Sequence, residues 1–340
     1  MNPKIVVNVG QRSVDYGLLK KMALAGMDTA RLNFAHASNE QLLELKENVK
    51  KIKEETGLQV KVFQDLCGPR IRVGVLPEQI HMKEGEKYTF SFDKCEAEDK
   101  TCIPIDSKEL IDDLEAGHPF YLVNGAIELT ITKIEGGKIY ATVDRGGVLS
   151  SKKGINLPKT NLSGGGLTPK DEKDAAFGAS VGVDYMGLSF VQSEEDIIKL
   201  RNIIGPDINI IAKIERGTAM GSIDKIIRES DGIMIARGDL GIEMPIEELP
   251  ILQKELIRHA HWHKKSAMVA TQIMLSMVEK PHPTYAEVTD VANAVFDGAD
   301  TLMLSDETSV GKFPLECVVM MKKIIDRADE YFNKTNYWAY

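Results

Sequence analysis

The sequence holds no uninterrupted run near the ~18 apolar residues that a membrane-spanning helix requires, and its first residues, MNPKIVVNVGQRS, lack the zones of a secretion signal. A soluble, cytoplasmic protein without a membrane partner is the expectation. Four cysteines, Cys67, Cys95, Cys102 and Cys317, fall without any C-x-x-C pairing, which argues against a zinc site and against a disulfide framework. All four are expected as reduced thiols. Surplus positive charge is missing too: 42 Lys and Arg stand against 51 Asp and Glu, a formal net charge of -9. Nucleic acid is therefore not an expected partner, and an anionic ligand must be held by particular residues.

What is present is 340 residues, 43% of them hydrophobic, enough for a large core. Short apolar runs alternate with amphipathic stretches: KIVVNVG (4–10), a helix over 14–26, TARLNFAH (29–36), a helix capped by Ser38 and stopped by Gly57, and VKVFQDL (60–66). After Arg72 the texture changes to β-like runs, YTFSF, PFYLV, IELTITKI and KIYATV, divided by Gly, Asp and Lys turns. The alternation then resumes through VDYMGLSF, NIIAKIE, DGIMIARGDL, SAMVATQIM and ADTLMLSDET. Eight strands, each followed by a helix, in about 250 residues once the insert is set aside, fit an α/β fold of the TIM (β/α)8 type. The expected arrangement is a barrel of residues 1–72 and 158–340, with a small all-β lid domain, 73–157, inserted after strand 3.

Active sites of such barrels lie at the C-terminal ends of the strands. The polar residues there are Arg31, Asn33, Asp65, Arg70, Arg72, Ser189, Lys213, Glu215, Arg237, Asp239, Thr271, Gln272, Ser305 and Glu307. In NIIAKIERG, Lys213 and Glu215 are two apart on one strand, so they share a face. Glu215 and Asp239 end neighbouring strands and offer two hard oxygen donors suited to Mg2+ or Mn2+; pairing with nearby arginines is the competing reading. Lys213 beside them would neutralise a transferring phosphoryl group or an enolate. Arg31 and Arg72 are forked donors for phosphate or carboxylate, with a salt bridge from Arg72 to Asp65 as the alternative. The tract HAHWHKK places only His259 and His263 on one helix face and reads as a solvated helix end.

RLNFAH, QDLCGPRIR, KKGINLPK, LTPKDEKD, SFV, KIE, GIMIARGDLGIE, ATQ, DVANAVFDGAD and GKFPLE occur in this order. By these motifs the chain resembles the pyruvate kinase family through residue 330. The resemblance implies a reaction that passes the phosphoryl group of phosphoenolpyruvate to ADP, or another nucleoside diphosphate, giving pyruvate and ATP. It implies Glu215 and Asp239 as magnesium ligands, Lys213 as the lysine stabilising transfer and enolate, Arg31 as a phosphate contact, and Thr271 beside the carbon that gains a proton. Ala236, Arg237 and Gly238 match the segment that holds the substrate carboxylate. Asn33, His36 and Lys153 match nucleotide contacts, with Asp65 and Arg72 in support.

The departures carry expectations of their own. Ala35 stands where the family has the serine of RLNFSH, and Arg70 of DLCGPRIR brings a fixed positive charge; together they predict activity independent of potassium. Asn8, Gln11 and Asn124-Gly125 differ on the nucleotide side, leaving nucleotide preference open, and Leu275, Tyr285, Asp306 and Thr308 differ around two strand ends, leaving open whether the substrate is phosphoenolpyruvate or a related acid. Glycine-rich LSGGGLT predicts a looser hinge. Two other functions stay in view: a metal-dependent, enolate-forming lyase or decarboxylase acting on an oxaloacetate-like acid, and a catalytically degenerate metabolite-binding homologue. The sequence stops at NKTNYWAY where the family continues into an effector-binding C-terminal domain, so that domain and its sugar-phosphate activation are expected to be absent, with monomer or homodimer left open.

Overall fold

The first three apolar runs form β1 (Lys4–Asn8), β2 (Thr29–Asn33) and β3 (Lys61–Asp65). They belong to a computed structural model describing residues 2–335 apart from 11–12, 94, 96–98, 100, 107 and 162; Gln11 and the terminal NYWAY thus lie outside the described residues. The insert contributes β4 (Ile80–Met82), β5 (Lys87–Ser91), β6 (Cys102–Pro104), β7 (Pro119–Leu122), β8 (Ile127–Glu135), β9 (Lys138–Arg145), β10 (Gly147–Leu149) and β11 (Ile155–Asn156). Then follow β12 (Tyr185–Leu188), β13 (Asn209–Ile214), β14 (Gly232–Ala236), β15 (Ser266–Ala270) and β16 (Thr301–Leu304).

Strands β1-β16-β15-β14-β13-β12-β3-β2 close into a parallel barrel. The expected TIM-type fold is therefore present. Inside the barrel pack Val6, Phe63, Ile211, Met234, Met268 and Met303, and a second apolar shell joins the strands to the helices outside. The connecting helices begin and end where their residues dictate. Ser38 and Gln41 form a capping box at the start of Asn39–Thr56, and Gly57 ends it in the left-handed conformation, φ 74°. Thr168, Asp171 and Pro169 open the helix Pro169–Val181 in the same way. The insert has its own sheet, β11-β7-β8-β9-β5-β6, with β10-β4 beside it, and its own core around Phe90 and Phe120, whose rings lie 4.5 Å apart. Among the described residues no helix is long and apolar enough to cross a membrane.

Several expectations need correction. β4, β6, β10 and β11 are too short to show an alternating pattern, and the sequence reading missed them. β14 ends at Ala236, and Arg237–Glu243 is already helical, so Asp239 sits in a first helical turn rather than at a strand end. Cys95 and Cys102, expected as free thiols, are joined in a disulfide, while Cys67 and Cys317 are free. The physical reason is tertiary: β5 and β6 run parallel with Thr89 opposite Cys102, so the chain leaving β5 must return to the start of β6 and brings the two cysteines to a Cα separation of 5.6 Å. The glycine-rich link to the barrel makes hydrogen bonds of its own. Gly166 N–H donates to Asp196 at 2.8 Å and Ser163 N–H to Asp113 at 2.8 Å. A Cβ on Gly165 or Gly166 would come within 3.0 or 3.2 Å of the Asp196 side chain, so these glycines serve close approach.

A similar close approach ties the barrel to its polar mouth. Gly187 lies opposite Asp65 across the β12–β3 pair, and a Cβ there would meet Asp65 Oδ1 at 2.6 Å and the Phe63 ring at 2.8 Å. Because both neighbours are fully buried, Gly187→Ala should destabilise the protein by roughly 1–3 kcal/mol, an overpacking effect. Thermal denaturation checks this, and an unchanged midpoint would show that the Asp65 carboxylate moves freely.

Candidate active site

Four charged side chains meet beneath the barrel mouth, three from strands β2, β3 and β13 and the fourth, Glu215, from the residue just past the end of β13. Arg31 in the middle of β2 directs Nε to Asp65 Oδ2 at 2.8 Å, and its Nη2 binds the same oxygen. Lys213 on β13 is 3.3 Å from that oxygen and 3.0 Å from Glu215 Oε1, and donates to Ser189 Oγ at 2.7 Å. One ammonium hydrogen is thus given to Ser189, and the charge is shared between Asp65 and Glu215. Ser189 passes its own proton to Leu66 O at 2.7 Å, and Phe190 N–H donates to Glu215 Oε2 at 2.7 Å. Phe190 takes φ +55° there, a strained backbone that aims its N–H at the carboxylate.

Burial opposes charge on every member of this group, and the partners decide the outcome. For Lys213 the neighbouring Asp65 and Glu215 outweigh burial and hold the ammonium above the usual lysine range. For Asp65 burial is outweighed by Lys213 and Arg31, and the carboxyl sits below its usual range. For Glu215 burial wins: despite Lys213, and with Asp239 and Asp65 repelling, its carboxyl is pushed up to about 7. Two cations therefore face three carboxylates, and the surplus negative charge falls between Glu215 and Asp239. That excess, on hard oxygen donors, fits a divalent cation. Among the described residues no group of three or more His, Cys, Asp or Glu is placed to hold a metal, so water and substrate would complete any coordination shell.

On the opposite wall, Thr271 and Gln272 follow β15 with φ +70° and +53°. Thr271 Oγ1 accepts the Gly238 N–H at 2.7 Å and donates to Ala270 O. The Arg237 guanidinium grips Thr271 O at 3.0 Å and forks onto Asp290 at 2.8 Å from each Nη. Arg237 is thus held by protein partners while it lines the cavity.

Two adjoining cavities divide the remaining candidates. One, about 480 Å³, is lined by Arg31, Asn33, Lys213, Glu215, Ala236, Arg237, Gly238, Asp239 and Thr271, with Asn8, Ser305 and Glu307. The other, about 620 Å³, is lined by His36, Arg72, Lys153, Arg216 and Glu243. Arg70, Asn124 and Asp239 border both. Asn33, grouped by sequence with His36 and Lys153, lies in the first cavity and not with them. Arg72 does not pair with Asp65, whose partners are Arg31 and Lys213; its backbone N–H donates instead to Asp106 at 2.7 Å. The Arg70 guanidinium is exposed and has no acceptor among the described residues, while burial and the charges of Arg70, Arg72 and Arg31 lower the His36 pKa. Sequence reasoning missed Phe190, Arg216 and Glu243. Glu243 closes the DGIMIARGDLGIE run and Arg216 directly follows KIE, so position was the only available signal. As read, His259 and His263 share one helix face: both meet Asp224 Oδ1, at 3.0 and 3.2 Å.

A parallel (β/α)8 barrel whose mouth joins buried carboxylates, a lysine and a cation-rich cavity beside an inserted β domain defines a class of barrel enzymes acting on small anions. Residues 1–318 match the family described as pyruvate kinase, barrel domain. The chain is 41% identical over 338 residues to a pyruvate kinase of Thermococcus litoralis, covering 98% of this chain and 71% of that one. It is 40% identical over 329 residues to one of Agrobacterium vitis, covering 96% and 68%, and 38% identical over 342 residues to one of Thermotoga maritima, covering 98% and 73%. The chain belongs to the pyruvate kinase family.

The charge imbalance has a pH signature. Glu215 titrates near 7 in the folded protein against a reference of 4.5, so between those values the folded state holds more protons than the unfolded one. Stability of the metal-free protein should therefore fall as pH rises through that window, by on the order of 3 kcal/mol. Glu215→Gln keeps the shape without the titration and should show a flatter curve of thermal midpoint against pH in chelator. Equal slopes for the two proteins would refute this account of Glu215.

Proposed function

We propose that the chain is a pyruvate-kinase-type phosphotransferase that converts phosphoenolpyruvate and ADP, or another nucleoside diphosphate, to pyruvate and ATP. The observation carrying this reading is the junction of the two cavities, with the Arg31–Asp65–Lys213–Glu215 cluster opening on one and His36, Arg72 and Lys153 lining the other. In the reaction the enol ester P–O bond breaks, a P–O bond forms to the terminal phosphate oxygen of the acceptor, and the enolate takes a proton on carbon. Glu215 and Asp239 are assigned to hold Mg2+ or Mn2+, which when bound supplies charge neutralisation for the phosphoryl group. Lys213, beside Glu215, is assigned to face the phosphoryl and enolate oxygens and would neutralise their developing charge. Arg31, held by Asp65, contacts the phosphoryl group from the other side. Ala236 and Gly238 form the wall for the substrate carboxylate, with Arg237 holding that wall in place, and Thr271 stands on the side where carbon is protonated. His36, Arg72 and Lys153 receive the nucleotide phosphates, with Asn33 at the boundary.

Arg70 supplies a fixed charge bordering both cavities, and with Ala35 replacing a hydroxyl ligand the activity is assigned as potassium-independent. The cation-rich second cavity favours a nucleotide acceptor over the lyase reading, which has no use for it. Residues 1–72 and 158–340 are assigned to the catalytic barrel and 73–157 to the lid. A cytoplasmic location, and a monomer or homodimer, complete the proposal.

The deciding experiment is a coupled assay of pyruvate release from phosphoenolpyruvate with a panel of nucleoside diphosphates and magnesium, with and without potassium. Turnover with at least one nucleotide, unchanged by potassium, is expected; no pyruvate with any nucleotide sinks the reading, and strong potassium stimulation sinks the role of Arg70. Lys213→Met should retain divalent-cation binding by calorimetry while losing at least ~10²-fold in kcat.

A further inference from the structure

One buried ion pair is left without a part in that chemistry. Arg216 directly follows Glu215, and Glu243 ends the helix Arg237–Glu243; their side chains are only 5% and 4% exposed, with Nε and Oε2 4.0 Å apart. Neither of those two atoms has a hydrogen-bond partner among the described residues. An arginine buried to stabilise a carboxylate would close to a forked, bidentate contact. Here the guanidinium spends its hydrogens elsewhere. Nη2 donates to Leu157 O at 3.2 Å and to Thr160 O, and Nη1 reaches Gln192 Oε1 at 3.5 Å. Leu157 and Thr160 come straight after β11, on the chain returning from the lid.

The returning chain does not stand alone. Val73 N–H donates to Lys153 O at 2.9 Å, Ile155 N–H to Ile71 O at 2.9 Å, and Arg72 bridges Gly154. The outgoing and returning arms are therefore one two-stranded ribbon, and it is this ribbon that carries Arg72 and Lys153. Its outgoing arm is held at the root by Asp171, which accepts the N–H groups of Cys67 at 3.0 Å and Gly68 at 3.2 Å. On the returning arm the corresponding grip is the Arg216 guanidinium.

We infer that Arg216 is a positioning residue that fixes the returning arm of the lid hinge to the strand carrying Lys213 and Glu215, and so sets where Arg72 and Lys153 stand over the catalytic mouth. What those two cations contact rests on the function proposed above; the grip itself does not. Two carbonyls of the lid return and one strand end of the barrel share a single planar group, so the hinge angle and the catalytic strand are registered to one another. Both carbonyls take the same nitrogen, Nη2, so a lysine ammonium reaching that point can serve them, but it has no second nitrogen to meet Gln192.

The test compares the full-length chain with Arg216→Met and Arg216→Lys by amide hydrogen exchange and by steady-state kinetics. In Arg216→Met the amides of 153–163 should exchange faster while those of β13 and β14 keep their protection, and KM for the nucleoside diphosphate should rise roughly tenfold or more with KM for phosphoenolpyruvate changed by less than about threefold. Arg216→Lys should recover part of both effects, and it alone is used, under the same exchange criterion, where Arg216→Met does not fold. Unchanged exchange over 153–163, or a rise spread evenly through the barrel, overturns the inference. So does an equal rise of both KM values with no recovery in Arg216→Lys. Should the unsubstituted chain release no pyruvate, the phosphotransferase reading fails on its own and the exchange pattern still decides the role of Arg216.

Discussion

Asp65 has no exposed surface, yet its carboxylate faces both Arg31 and Lys213, and around that contact the rest of the mouth is arranged. Taking charges out of water costs several kcal/mol each, and only mutual pairing with further hydrogen bonds offsets it. Here the partners arrive from β2, β3 and β13, so the pairing exists only when the barrel is closed in register. Asn33 lies opposite Asp65 across β2–β3, and Asp65 lies opposite Gly187 across β3–β12. A one-residue slip of any of these strands would turn a charged side chain toward the apolar shell outside. Fold and site are in this sense one constraint. The barrel supplies the geometry, and the charge cluster penalises every other register.

The same cluster fixes what the mouth can accept. Pairing within the group leaves one negative charge uncompensated at Glu215 and Asp239, while the adjoining cavity gathers His36, Arg72 and Lys153 with Arg70 between them. A site negative on one side and positive on the other suits a ligand pair in which a cation bridges anionic groups. The lid matters because it delivers half of that pattern. Lys153 comes from the returning arm and Arg72 from the outgoing one, and the two arms are joined by the Arg72–Gly154 bridge and the Val73 N–H on Lys153 O.

Much of this was legible in the residues. Lys213 and Glu215 alternate on a strand, and their shared face follows from the period of two alone. The cap at Ser38, the stop at Gly57 and the rhythm of eight strands gave the barrel, and the break after Arg72 gave the insert. What escaped has physical reasons. β4, β6, β10 and β11 bury too few residues to make a pattern. Asp239 looked like a strand-end residue because the apolar run GIMIA leads into a helix without an intervening loop. The Cys95–Cys102 bond depends on two strands lying side by side, which spacing along the chain does not encode. The split that places Asn33 apart from His36 and Lys153 depends on where the lid ribbon crosses the mouth, a tertiary fact.

Thr271 shows how the same architecture stores strain where chemistry is assigned. A β-branched residue at φ +70° is a true outlier, of order 1–3 kcal/mol, and Gln272 beside it is left-handed as well. Such a backbone persists only when its surroundings over-determine it. Arg237 does this by donating to Thr271 O, and Asp290 locks the guanidinium that makes the contact. Gly238 completes the clamp with its N–H on Thr271 Oγ1. The hydroxyl is thereby fixed in both its roles, accepting from Gly238 and donating to Ala270 O. A threonine held so tightly cannot swing away as the cavity fills. The strain at this strand end thus converts an ordinary hydroxyl into a stationary wall of the cavity, facing Lys213 and Glu215 across it.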